Sequence, residues 1–124
     1  MLTGSETILV VEDEPGVREL VRRVLERYGY RVLLAATPRE AIALAERHAG
    51  AIHLLVSDVV LPEMSGRSVA SQIVASRPEI RVIYMSGYTD NAIVHHGVLD
   101  PDTPFLQKPF TPEALARKVR AVLG

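Results

Sequence analysis

With 124 residues the chain has the size of one domain, and a hydrophobic content of 48% is enough for a buried core. The formal net charge of -1, from 14 basic and 15 acidic side chains, argues against attraction to a nucleic-acid backbone or an anionic membrane surface. Cysteine is absent, which rules out disulfides, thiolate chemistry and cysteine-type zinc clusters and is compatible with a reducing cytoplasm.

The start, Met1 to Glu6, has no signal-peptide pattern, and no apolar stretch approaches the roughly 18 residues that span a bilayer, so a soluble protein is expected. After a short N-terminal tail, residues 1–6, one domain is expected over 7–124. Ile8-Leu9-Val10-Val11 is an apolar run that ends in Glu12-Asp13. Val17, Leu20, Val21, Val24, Leu25 and Tyr28 then recur at helical spacing, while Arg18, Glu19, Arg22, Arg23, Glu26 and Arg27 take the other side. The spacing predicts an amphipathic helix begun near Pro15 and stopped by Gly29. Arg31 to Ala35 reads as a second strand. Thr37-Pro38-Arg39-Glu40 reads as N-cap, first-turn proline and capping-box glutamate of a helix running to about His48. Leu54-Leu55-Val56-Ser57 leads to Asp58, Pro62 to Gly66 is loop, and the next helix buries Val69 and Ile73 with Ala70 and Val74. Arg81 to Met85 is a fourth strand. A weaker helix from about Asn91 to Val98 leads through Pro101 and Pro104 to Phe105-Leu106-Gln107, a fifth strand ended by Lys108-Pro109. Thr111 caps a last helix with Pro112 at its first position and Leu115, Val119 and Val122 facing inward.

Five strand–helix pairs of this kind imply a parallel sheet with helices on both faces, since each crossover is right-handed. Runs of four or five apolar residues suit strands buried on both faces, and ligands then bind outside the carboxyl ends of the strands. Polar residues end strands one, three, four (Ser86) and five, whereas strand two ends in Ala35-Ala36. Strand two is therefore expected at the edge, in the order 2-1-3-4-5, with the switch point between strands one and three. Glu12, Asp13, Asp58 and Lys108 converge on one sheet edge in that arrangement.

The set in this order, Glu12-Asp13, Asp58, Ser86 and Lys108-Pro109-Phe110, each at a strand end, resembles the receiver domain of two-component response regulators, over essentially the whole chain from Ile8 to Leu123. The resemblance implies the flavodoxin-like, doubly wound (βα)5 fold, and a phosphoryl group taken from a partner phosphohistidine by Asp58 as nucleophile. It implies Mg²⁺ held by Asp13 and Asp58, with Glu12 acting largely through water and the backbone carbonyl of Val60 adding an oxygen. An oxygen-rich set suits this hard cation, which relieves the repulsion between a carboxylate and incoming phosphoryl oxygens. Lys108 and Ser86 would meet those oxygens where charge accumulates. Similar receivers also keep a switch aromatic at the place of Phe105, a cis bond at the place of Lys108-Pro109, and two positions that control dephosphorylation, here Val60 and Tyr88. The expected partner is a histidine kinase or histidine phosphotransfer protein, met on the first helix near Val17 and Arg18. No nucleic acid, no membrane, and a monomer or weak homodimer in the cytoplasm complete the expectation. A switch is expected rather than a turnover enzyme.

Blander roles compete at single positions. An isolated Asp after a strand usually makes a turn or cap, Lys108 alone would be a solvated charge, and Ser86 beside Gly87 turn chemistry. It is their joint order that points to a site. His95 and His96 are adjacent, so they face different sides of a helix and make a poor metal pair; His48 and His53 read as structural. Two rival functions compete with this one. A phosphatase of the haloacid dehalogenase type also uses a nucleophilic Asp and Mg²⁺, but its nucleophile follows the first strand with a second Asp two residues on, where this chain has Pro15. A receiver kept only for interaction would lack one of the acids or the lysine, and none is missing. The chain ends with its last helix, so it is expected to be a stand-alone receiver or a piece of a larger protein. Tyr84 to Asp90 and Phe105 to Phe110 are worded more like receivers fused behind sensor histidine kinases than like those joined to DNA-binding domains.

Overall fold

The computed structural model describes residues 2–87, 99 and 102–124. Its strands are β1 (Thr7–Val11), β2 (Arg31–Ala35), β3 (Leu54–Asp58), β4 (Arg81–Ser86) and β5 (Phe105–Gln107). All pair in parallel, in the order β2-β1-β3-β4-β5. The described helices are α1 (Pro15–Arg27), α2 (Pro38–Arg47), α3 (Gly66–Ser76) and α4 (Pro112–Leu123). The helix expected over Asn91–Val98, with Tyr88, His95, His96 and Pro101, lies outside the described residues.

Alternation along the strands feeds two cores. Ile8, Val10, Leu54, Val56, Ile83 and Met85 pack on one face against Val21, Val24 and Leu25 of α1 and Leu115 and Val119 of α4. Leu9, Val11, Leu55 and Tyr84 pack on the other against Ala41 and Ala45 of α2 and Val69 and Ile73 of α3. Strands between two helical layers are apolar along most of their length, which is why residues 8–11 of β1 and 54–56 of β3 read as unbroken runs and both strands are buried throughout. The edge strands β2 and β5 are less covered.

Local chemistry sets the helix ends. Thr37 accepts from Glu40 N–H, Ser65 from Ser68 N–H and Thr111 from Ala114 N–H, each at an N-cap with extended backbone. Pro15, Pro38 and Pro112 open their helices where the missing N–H costs nothing. Gly29, with φ of 100°, turns the chain out of α1. One inward expectation is corrected: Leu20 is 43% exposed. The apolar stripe of α1 is wider than the sheet beneath it, so Leu20 falls on the flank and lines a surface groove instead of the core. The residues before β1 are tied to the body, with Gly4 N–H donating to Tyr28 O and Arg120 to Thr3 O and Glu6.

Candidate functional site

The parallel register builds the site. Val10 stands opposite Val56, so two residues further along Glu12 comes beside Asp58, both on the pleat side of Val10 and Val56. Asp58 pairs with Met85, and Ser86 with Gln107, which brings Ser86 and Lys108 to the same edge. Glu12 is completely buried, Asp58 is 4% exposed and Ser86 6% exposed, while Asp13 is exposed. Carboxylate oxygens of Glu12, Asp13 and Asp58 lie within 4.8 Å of one another. Lys108 Nζ donates to Glu12 Oε1 at 2.7 Å and lies 2.6 Å from Asp58 Oδ1. The second contact is an ion pair by distance but is poorly directed, so the buried Asp58 Oδ1 accepts no hydrogen bond among the described residues.

Electrostatics follow from that crowding. Burial pushes the Asp58 carboxyl above its ordinary range and neighbouring Glu12 adds to the effect, while Lys108 opposes it. Burial would raise Glu12 too, but hydrogen bonds with Asp58, Lys108 and the Glu14 amide outweigh it and leave Glu12 below the usual range. The two acids therefore titrate as a pair. Burial disfavours the charged Lys108, yet Asp58 and Glu12 hold it above the ordinary lysine value. One ammonium thus meets two of the three clustered carboxyl groups. A further cation would relieve the remaining repulsion, and an all-oxygen donor set with an unbonded buried oxygen fits a hard dication.

Backbone features aim these side chains. Glu12 Oε2 accepts from Glu14 N–H at 3.1 Å, closing the turn into α1. Arg18 donates from α1 to the carbonyl of Glu12. Ser57 Oγ donates to the carbonyl of Asp58 at 2.9 Å, and Gly66 N–H to Val59 O at 2.8 Å. Any Cβ on Gly66 would overlap the Asp58 carbonyl oxygen, so only glycine lets α3 start this close to the acid. Lys108 N–H donates to Ser86 O at 2.7 Å, and the Lys108-Pro109 bond is cis. Val60, two residues after Asp58, is 68% exposed, and Phe105 is half-buried against the core on the α2–α3 face. Tyr88 lies outside the described residues. Sequence reasoning missed Ser57, Gly66 and the inward reach of Arg18; a glycine eight residues after the acid was the one available signal.

Beside the acids runs an apolar groove of about 320 Å³, lined by Glu14, Val17, Leu20, Lys108, Pro109 and Phe110. A larger one, about 830 Å³, is lined by Arg67, Tyr84 and Thr103 among others and contains none of the acids. Size therefore does not mark the chemistry here. The family profile of the response regulator receiver domain matches residues 8–120. The chain belongs to that family.

The receiver is 39% identical to the sensor kinase CckA of Brucella abortus over 122 residues, 98% of this chain and 13% of that protein. It is 32% identical to the transcriptional regulatory protein YvrH of Bacillus subtilis over 120 residues, 96% of this chain and 49% of that protein. The chain thus spans less than half the length of either relative. Among solved structures, the receiver domain of the hybrid histidine kinase CckA superposes with a TM-score of 0.80 at 36% identity, covering 95% of this chain and 99% of that one. The BeF3-activated DrrB receiver domain gives 0.78 at 30% identity, covering 97% and 98%. As a receiver the chain is a module of two-component signalling, and its Glu12–Asp13–Asp58 cluster has the make-up of a metal site. No described helix is long and apolar enough to cross a membrane.

Proposed function

We propose that this receiver accepts a phosphoryl group from a phosphohistidine of a partner onto Asp58, with Mg²⁺ as cofactor, and shifts its output surface in response. One observation carries the reading: Asp58 Oδ1 is buried without a hydrogen bond, beside two further carboxylates and 2.6 Å from Lys108 Nζ. Asp13 and Asp58 would hold the metal directly. Glu12, whose two oxygens already serve Lys108 and the Glu14 amide, would act through water, and the Val60 carbonyl would add an oxygen. When bound, Mg²⁺ supplies the charge that lets a carboxylate meet phosphoryl oxygens.

An Asp58 oxygen attacks phosphorus as the phosphorus–nitrogen bond breaks and its electron pair returns to the donor imidazole. Lys108 moves its ammonium from Asp58 to the incoming oxygens, and the Ser86 hydroxyl donates to another. These contacts exist only with the phosphoryl group in place. They make dominant an active form that is otherwise minor, with Phe105 turning inward as Ser86 turns toward the acid. Val60 and Tyr88, neither of which can place a water as an amide or carboxylate would, guard the adduct against hydrolysis. The domain spans 7–124 and acts in the cytoplasm as a monomer or weak homodimer. It is a phosphoacceptor that assists its own phosphorylation, more a switch than a turnover enzyme. The groove of Val17, Leu20 and Phe110 suits the apolar face of a helical donor, a histidine kinase or histidine phosphotransfer protein. Likeness to CckA and to its receiver supports a place behind a sensor kinase. A dehalogenase-type phosphatase would need a second acid where Pro15 opens α1.

Incubation with acetyl phosphate followed by intact mass tests the acceptor. One phosphoryl adduct is expected with Mg²⁺, little without it, and none in Asp58→Asn. An adduct of equal yield in Asp58→Asn refutes the assignment.

A further inference from the structure

Two of the three carboxylates sit on the short link between β1 and α1. Glu14, at the N-cap of α1, makes no side-chain cap hydrogen bond, and the first turn of the helix carries no acid. The exposed Asp13 side chain makes no hydrogen bond or ion pair among the described residues. Glu12 Oε2 closes the turn on Glu14 N–H and Glu12 N–H donates to Ala35 O, and a further restraint reaches the carbonyls from one turn into the helix. Arg18 Nη1 donates to Glu12 O at 2.9 Å and reaches Asp13 O at 3.5 Å. Among the described residues the guanidinium forms no ion pair with a carboxylate, so its strongest partners there are these two backbone carbonyls.

We propose that Arg18 is a positioning residue for the metal site: its guanidinium draws in the carbonyls of Glu12 and Asp13 and so sets the backbone from which both carboxylates converge with Asp58. This deepens the phosphoacceptor reading and rests on its metal. Two effects of Arg18 oppose each other. Its charge, close to the cluster, repels a dication, and on that effect alone its removal tightens binding. Its grip on the loop pre-organises the ligands, and on that effect removal weakens binding. The proposal is that the grip wins, because the half-buried guanidinium is still partly screened by solvent and spends its charge on two carbonyls, whereas ligand convergence is needed in full. Lysine keeps the charge but offers a compact ammonium in place of the planar fork, so it should not replace the grip.

The test uses the full chain as parent, Arg18→Met and Arg18→Lys, titrated with Mg²⁺ and followed by amide chemical shifts. Metal-free hydrogen exchange of the Glu14, Val10 and Val56 amides is measured alongside. Both variants are expected to bind Mg²⁺ about three- to tenfold more weakly, toward the lower end of effects seen when partners behind metal ligands are lost. Glu14 N–H should exchange faster with Val10 and Val56 unchanged. Binding in Arg18→Met equal to or tighter than the parent's overturns the proposal, as does an Arg18→Lys protein that matches the parent. Faster exchange spread over Val10 and Val56 shows a general loss of stability and also overturns it. A parent that takes up no Mg²⁺ instead overturns the phosphoacceptor reading beneath it.

Discussion

Replacing Arg77 by alanine should destabilise the domain by about 3 kcal/mol, more than any other half-exposed arginine. Arg77 follows α3 and spreads its guanidinium over the end of α2, with Nε donating to Ala45 O at 2.9 Å, Nη2 to His48 O at 2.7 Å and Nη1 to Gly50 O at 2.8 Å. Carbonyls in the last turn of a helix lack intrahelical donors, and here one side chain satisfies them across a helix–helix contact. The bonds to Ala45 and His48 are partly buried; at about 1–1.5 kcal/mol each for charge-assisted bonds with some solvent access they contribute most. The exposed bond to Gly50 adds about 0.5 kcal/mol, since water replaces it readily. Arg77→Lys can engage one carbonyl and should recover about a third of the loss. Urea unfolding at pH 7 followed by far-ultraviolet circular dichroism is the assay, as the chain has no tryptophan. With a slope of about 1.5 kcal/mol/M for a domain of this size, the midpoint should fall by about 2 M in Arg77→Ala. A midpoint within about 0.3 M of the parent's, or full recovery by lysine, would refute the clamp.

Three further outcomes are expected. Glu63 adopts φ of 70° without being glycine, so Glu63→Asn should stabilise by about 0.5 kcal/mol and Glu63→Ile destabilise by about 1 kcal/mol; the reverse order in urea midpoints would contradict the strain. The Arg120 guanidinium holds Glu6 at about 2, below its ordinary 4.5, so the pair's stabilisation is complete above pH 4.5 and is lost as pH falls through 2. For a partly exposed pair this is about 1 kcal/mol, read as the difference between parent and Glu6→Gln at pH 7, and a difference that persists undiminished at pH 2 would rule the pair out as its source. Val60→Asn should shorten the life of the Asp58 adduct several-fold in Mg²⁺ buffer after the donor is removed, because the amide can orient a water that valine cannot; unchanged decay would show that Val60 is no barrier.

Much of this molecule is legible because its rules are short in range. Thr37-Pro38 and Thr111-Pro112 are readable as helix starts since a cap needs only a hydroxyl and an amide three residues on. β1 and β3 are readable since a strand covered on both faces is apolar through its middle and keeps its polar residues for its ends. Chain order then limited where Glu12, Asp13, Asp58 and Lys108 could meet. Leu20 was misread because periodicity reports which side of a helix is apolar but not how wide a surface lies beneath it. Other relations depend on distance in space alone. Lys108 lies 96 residues from Glu12, and it is the parallel register of β1, β3, β4 and β5 that brings its ammonium within 2.7 Å of one acid and 2.6 Å of another. Arg18 turns inward to loop carbonyls although its helical position marks it as solvent-facing, and Arg77 closes a helix 32 residues away. No pattern in the neighbouring residues encodes these contacts, because a guanidinium or ammonium takes whichever acceptors packing brings within reach, and packing is decided only when the sheet and its two helical layers come together.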